Sequence, residues 1–155
     1  MHYPNLAGLI IFTGSLFLMF LTVPWLQIKR FALFGVVSGL AIAFALILVM
    51  QNWLGLWTFY RVDPLYINGI PLLLSAAWVP TEIVFAHFLS QYRQPFLRLW
   101  LIFFIPAISV GIHFVLIWNR MLTYRYWNLS ATFLVSLAIH LGLALYLNRK
   151  YTIPL

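Results

Sequence analysis

The chain has 155 residues, 65% apolar and 7% charged, with a formal net charge of +7 and a mean hydropathy of +1.00. Soluble domains carry about 25% charged residues, so this composition excludes a water-facing globule and makes lipid the solvent of most of the chain. The nine Lys and Arg come in ones and twos between apolar runs, which fits orientation signals and lipid anchors and excludes a nucleic-acid-binding face; no cysteine is present, which excludes disulfides, thiolate metal sites and cysteine nucleophiles.

Five apolar runs follow one another. They predict an all-α, polytopic transmembrane helical bundle of about five spans, one integral membrane domain over residues 1–155, multi-pass in the cell membrane. The first run, about Leu6–Leu26, has no charged segment before it and no A-x-A site after it. It therefore reads as a retained span rather than a cleaved signal. A short basic turn, Gln27–Arg30, leads to the second span, about Phe31–Met50. That span contains Gly35-Val-Val-Ser-Gly39, a GxxxG spacing that lets helices approach closely; packing within the chain is the preferred reading over a dimer face.

The longest connection, Gln51–Tyr66, holds Trp53, Trp57, Phe59, Tyr60 and Tyr66. Rings at this density suit the headgroup level, so an interfacial segment is expected there. Within it, Arg61 and Asp63 precede Pro64, and the expected role is a local turn in which Asp63 bonds the backbone. The third span, about Ile67–Leu89, carries Pro71 in its first turn and Pro80 deeper. The fourth, about Leu99–Trp118, carries Pro106. A proline inside a helix frees the carbonyl four residues back, here Ala76 and Ile102. An ordinary kink accounts for this; the functional alternative is that Pro80 opens the backbone beside Glu82. The turn Asn119–Asn128 repeats the aromatic theme with Tyr124, Tyr126 and Trp127, and Asn128 is placed to cap the fifth span, about Leu129–Leu147. Placing the N-terminus outside puts Lys29, Arg30, Arg93, Arg98, Arg149 and Lys150 inside and Arg61, Arg120 and Arg125 outside, six against three. The positive-inside rule then favours N-out, C-in.

Four buried-looking polar residues are candidates for binding: Glu82, His87, His113 and His140. Glu82 is one of two acids and lies inside an apolar run, where an ionisable group is costly and marks a site. Glu82 and His140 each lie seven residues from the inner end of their spans, roughly 10 Å in depth at 1.5 Å per residue. They are expected to pair if spans three and five are neighbours, as a proton relay, a substrate anchor or a structural clasp. His87 is near the inner surface, and His113 lies toward the outer side, away from Glu82 in depth. No His-x-x-x-His or Glu-x-x-His spacing exists, so neither a metal nor a cofactor is expected. No G-x-S-x-G or Ser-Lys arrangement exists either, so Ser75, Ser109, Thr132 and Ser136 read as packing and hydrogen-bonding residues. No catalytic residue is assigned, with Glu82 the candidate acid.

Two resemblances rest on particular residues. Tyr124-Arg-Tyr-Trp127-Asn128-Leu-Ser130 before an apolar helix and a basic tail at Arg149-Lys150, with Trp57 and Pro80-Thr81 earlier, resembles a bacterial family of small uncharacterised membrane proteins of spore-forming Firmicutes. That resemblance covers most of the chain and implies architecture without chemistry. It departs in the fourth span, where Ser109 and His113 stand in place of an expected acid. Trp57-Thr58-Phe59 followed by Val79-Pro80-Thr81-Glu82 is similar to the carotenoid-cyclase membrane domain, whose paired acids start isoprenoid cyclisation by protonation. Thr81 replaces the first acid of that pair, so the resemblance implies a proton-donor role for Glu82 alone.

The scarcity of ionisable groups favours a non-catalytic scaffold or accessory subunit, with the lipid bilayer, a partner membrane protein or a second copy as partners. The alternatives are a proton-coupled carrier using Glu82 and His140, which needs a dimer or partner to complete a path, and a membrane-embedded lipid or isoprenoid enzyme with Glu82 as acid.

Overall fold

A computed structural model describes residues 6–151, Tyr151 by its backbone only; the first five and last four residues of the expected domain lie outside the described residues. Five helical rods follow in order: α1 (Ala7–Thr22), α2 (Trp25–Trp53), α3 (Leu72–Gln91), α4 (Pro95–Trp118) and α5 (Leu129–Tyr151). Short strands β1 (Trp57–Phe59), β2 (Tyr66–Ile67), β3 (Ile70–Pro71) and β4 (Leu122–Tyr124) lie in the connections. Among the described residues, α2 to α5 are the four helices long and apolar enough to cross a membrane. α1, with 16 residues, reaches about 24 Å at 1.5 Å per residue.

The boundaries differ from the expected spans for local reasons. Pro24 lacks the N–H that would continue α1, so that helix stops at Thr22 and a new one starts at Trp25. The basic residues 27–30 are thus the opening turns of α2 rather than a connection. α2 passes through two π-helical stretches, Val36–Ala41 and Leu48–Trp53; the Ile42 N–H reaches the Val37 carbonyl five residues back. The expected third span begins five residues late, because Ile67–Pro71 is a hairpin. Its turn, Asn68-Gly69, has φ of 51° and 78°, the paired positive angles that a two-residue type I′ turn demands and Asn-Gly supplies. Pro71 precedes α3 instead of opening its first turn.

Two apolar clusters fill the bundle. At the basic end, Met19, Val23, Phe31, Phe85, Leu89 and Leu147 pack together with their neighbours. At the other end, Trp57, Phe59, Val62, Ile70, Leu74 and Leu122 form the second cluster. There β1 pairs antiparallel with β4, Trp57 opposite Tyr124, and closes the bundle with a two-stranded lid. The aromatic connection is therefore an ordered lid, with Trp57 and Phe59 buried beneath it. Gln51 and Asn52 fasten this lid to α2. Gln51 accepts from the Phe59 N–H at 2.9 Å and donates to the Gly69 carbonyl, also at 2.9 Å, while Asn52 donates to the Asn68 carbonyl at 3.0 Å.

α3 is the central helix. Of its most apolar stretch 61% is buried, against 28%, 28% and 22% for α2, α4 and α5. The close approach of α2 to α3 is made by the GxxxG glycines: a Cβ on Gly39 would stand 2.6 Å from the Val79 nitrogen, and one on Gly35 2.9 Å from the Val79 carbonyl oxygen. The motif serves packing inside the chain.

Candidate functional site

Glu82 lies in the second turn of the Trp78–Gln91 segment of α3, two residues past Pro80. The helix loses its regular α pattern at Ala77, three residues before that proline, and Thr81 turns its hydroxyl back to the Ala77 carbonyl at 3.0 Å. Thr81 is thus occupied locally, and Glu82 alone of the pair is left to face the bundle interior.

α5 brings His140 to it. His140 Nε2 lies 3.1 Å from Glu82 Oε1, and both residues are buried, 3% and 2% exposed. His140 Nδ1 lies 2.7 Å from the Ser136 carbonyl oxygen. A carbonyl only accepts, so Nδ1 carries a proton. Nε2 and Oε1 stand at ion-pair distance without the alignment of a hydrogen bond, and with one further proton the couple is either carboxylate and imidazolium or carboxylic acid and neutral imidazole. Both forms are neutral overall. Phe85 presents its ring edge-on to the imidazole at 5.3 Å, which fixes the ring plane. Glu82 Oε2 is buried with no partner in the protein.

The couple forms part of the wall of a cavity of about 80 Å³, bounded by α2, α3, α4, α5 and β1. Ser38, Ser109 and Ser136 line it at mid-depth, and Trp57, Phe59, Trp78 and Trp127 give it aromatic walls. His113 lines the same cavity. Sequence depth placed His113 apart from Glu82, and in helix register it is apart; the cavity runs along the bundle and joins the two levels. His113 Nδ1 is 2.6 Å from the Tyr124 hydroxyl, which is 2.7 Å from the Thr132 hydroxyl. Trp127 Nε1–H donates to Thr132 Oγ1 at 2.9 Å. Asn128 accepts from the Ala131 N–H at 2.8 Å at the start of α5. Tyr124 lies outside the spans; burial raises its pKa, against a lowering contribution from Thr132, so the hydroxyl stays protonated.

His87 is not part of this constellation. It is buried near the basic end, its Nδ1 has no partner, and it does not line the cavity. Pro106 is buried inside α4. Among the described residues no group of three or more His, Cys, Asp or Glu is arranged to hold a metal. Thr132, Ser136 and His140 recur every four residues on α5, a polar stripe legible in the sequence. Trp57 and Tyr124 reach the site only through the β1–β4 pairing, which no local pattern announced. Comparison with protein-family models, curated proteins and solved structures finds no match for this chain.

Proposed function

We propose that this protein is a proton-coupled carrier of the cell membrane, with Glu82 and His140 as its proton site and the adjoining cavity as the place where a small solute is held. The observation that supports it is the 3.1 Å carboxylate–imidazole couple on the most enclosed helix, with one carboxylate oxygen left unpartnered in the wall of a cavity. A structural clasp would need neither the spare oxygen nor the cavity. With five crossings, the charge bias places the N-terminus out and the basic end in. One cavity in one copy is too little for a complete path, so a second copy or a partner membrane protein completes it.

The test is dissipation of an imposed pH gradient in liposomes carrying the purified protein and an internal pH-sensitive dye. Wild type is expected to dissipate it at least tenfold faster than Glu82→Gln. Equal rates would remove the carrier reading and return weight to an accessory subunit, in which Glu82→Gln alters stability or partner binding but no flux.

A second reading has its own support. Trp57 and Phe59, from one segment that resembles the carotenoid-cyclase domain, and Glu82, from the other, line the same cavity. Aromatic faces stabilise a cation that an acid has created beside them. Under this reading Glu82 protonates an isoprenoid-type lipid, and extracts of an isoprenoid-producing host expressing the wild type would contain a product absent with Glu82→Gln.

A further inference from the structure

The Glu82–His140 couple is enclosed unequally along the bundle axis. Toward the basic end the next residues on its own helices are apolar and closely packed. Phe85, Ala86 and Leu89 of α3 and Leu147 of α5 are each 0% exposed, and Phe31 of α2, also 0% exposed, joins them. These apolar side chains offer a proton no oxygen or nitrogen, and His87, the polar residue among them on α3, does not line the cavity. Toward the lid the same couple adjoins the cavity, whose far wall is His113 backed by Tyr124 and Thr132.

The cavity's chemistry suits water. Its volume of about 80 Å³ exceeds the roughly 10–15 Å³ that one buried water needs on the same measure, and such a water needs two to four polar partners. Glu82 Oε2 and Trp57 Nε1 are both buried without a protein partner, and both residues line the cavity with Ser109 and Ser136 between the two levels. Among the described residues, no titratable group other than Glu82, His113 and His140 lines the cavity, and Asp63 of the lid and Tyr146, Arg149 and Lys150 of α5 lie outside it. α1 has none, and those of α2 lie at the basic end, Lys29 over Trp25 and Arg30 over Phe31. α4 contributes His113 at the lid, with Arg98 at the basic end beside Asn148. On α3 itself, His87 is outside the cavity.

We propose that Tyr124 and His113 form a proton relay that links the lid face to the Glu82–His140 couple through water held in the cavity, so that in this conformation the couple exchanges protons with the lid side and meets the basic side only after the carrier rearranges. Thr132 is a positioning residue: anchored by the Trp127 N–H, it holds the Tyr124 hydroxyl between itself and His113. One passage balances as follows. The Tyr124 O–H proton goes to His113 Nδ1 while the phenol oxygen takes a proton from a hydronium at the lid, which is left as water. His113 gives the proton on its other nitrogen to a cavity water, and that water passes one to Glu82 Oε2. Tyr124 and His113 end uncharged, and the return passage or a ring rotation resets the imidazole.

The inference rests on the couple's being a working proton site, and infrared spectroscopy separates the two claims. The chain has two acidic side chains, so the carboxyl band of Glu82 can be assigned by difference against Glu82→Gln. In protein reconstituted with one orientation, a pH step on the lid face is expected to move that band, and the same step on the basic face to leave it for at least ten times longer. Tyr124→Phe and His113→Gln should each slow the response at least tenfold, and Thr132→Val by less, while His87→Gln responds as wild type. A Glu82 band that moves at the wild-type rate in Tyr124→Phe and His113→Gln, or equally from both faces, overturns the relay and leaves the couple intact. A band that never responds in wild type overturns both. If a variant fails to fold, the face comparison on wild type decides alone.

Discussion

Asp63 and Glu82 are the two acids of the chain, and each is buried against a different kind of partner. Asp63 Oδ2 accepts from the Leu74 N–H at 2.9 Å, in the first turn of α3, where orphan N–H groups and the helix dipole favour an oxygen. The carboxyl also packs on Gly8, where any side chain would collide with it, and the Gly8 N–H donates to the Val62 carbonyl at 2.9 Å. One residue thus joins α1, the lid and α3. Burial raises the Asp63 pKa above its ordinary 3.8, against the lowering effect of the Leu74 and Leu73 backbone bonds. A raised carboxyl binds its proton better in the folded than in the unfolded chain. Its contribution to stability is therefore fully present below pH 3.8 and is lost as pH rises through the folded value. Asp63→Asn keeps an acceptor for Leu74 and removes the buried charge, so at neutral pH it should be at least as stable as wild type and lack that pH dependence. Asp63→Ala orphans the Leu74 N–H and should cost about 1–2 kcal/mol. Denaturation in lipid nanodiscs at several pH values measures all three; an Asn variant as weak as the Ala variant would show that the charge itself holds the junction.

At the scale of elements, the contact of α2 with α3 decides whether Glu82 is positioned at all. A Cβ on Gly39 would stand 2.6 Å from the backbone of Trp78 and Val79, which has no side-chain freedom to yield, whereas one on Gly14 of α1 would meet nothing within 4 Å. Gly39→Ala should therefore destabilise by about 1–3 kcal/mol through overpacking, and Gly14→Ala should be near neutral. Thermal unfolding in the same nanodiscs reads the difference, and equal midpoints would mean that the helices are not in the close contact described. This spacing was legible in the sequence, as were the helical class, the cap at Asn128 and the suitability of Glu82 and His140 as partners by depth. The hairpin was not. Asn68-Gly69 is a strong turn signal, but Ile67, Ile70 and Pro71 around it are apolar, and a hydropathy run absorbs a two-residue turn that backbone dihedral requirements would have separated. The break at Pro24 was hidden in the same way, because apolar composition continues across it while the backbone hydrogen bonding does not. Nor could the polar network at the lid be read locally: Trp57 and Tyr124 meet across 67 positions of chain through strand pairing, which also sets the Tyr124 hydroxyl against His113.

Across the whole molecule, the arrangement of two apolar clusters around one polar cavity makes a definite statement about α1. Its start is tied to the lid by Gly8 and Val62, and its end contributes Met19 and Val23 to the basic-end cluster. α1 therefore runs the length of the bundle alongside α3, although 16 residues at 1.5 Å each give about 24 Å, less than the roughly 30 Å of a typical hydrocarbon core. A helix that short can cross if the bilayer thins beside it, at a cost of fractions of a kcal/mol per Å, and the rods around it lower that cost by shielding one face. The expectation is that Leu6 and Arg61 lie on one face of the membrane and Arg149 on the other. Because the chain has no cysteine, single replacements Leu6→Cys, Arg61→Cys and Arg149→Cys can be tested in sealed vesicles with an impermeant thiol reagent. The first two should react from the same side and the third from the opposite side. If Leu6→Cys reacts with Arg149→Cys instead, α1 turns back without crossing, four helices span, and the lid loses the anchor that holds Asp63 and the start of α3. The packing of α1 along α3 is part of what makes α3 a central helix, and a central α3 is what allows its single acid to be both buried and paired.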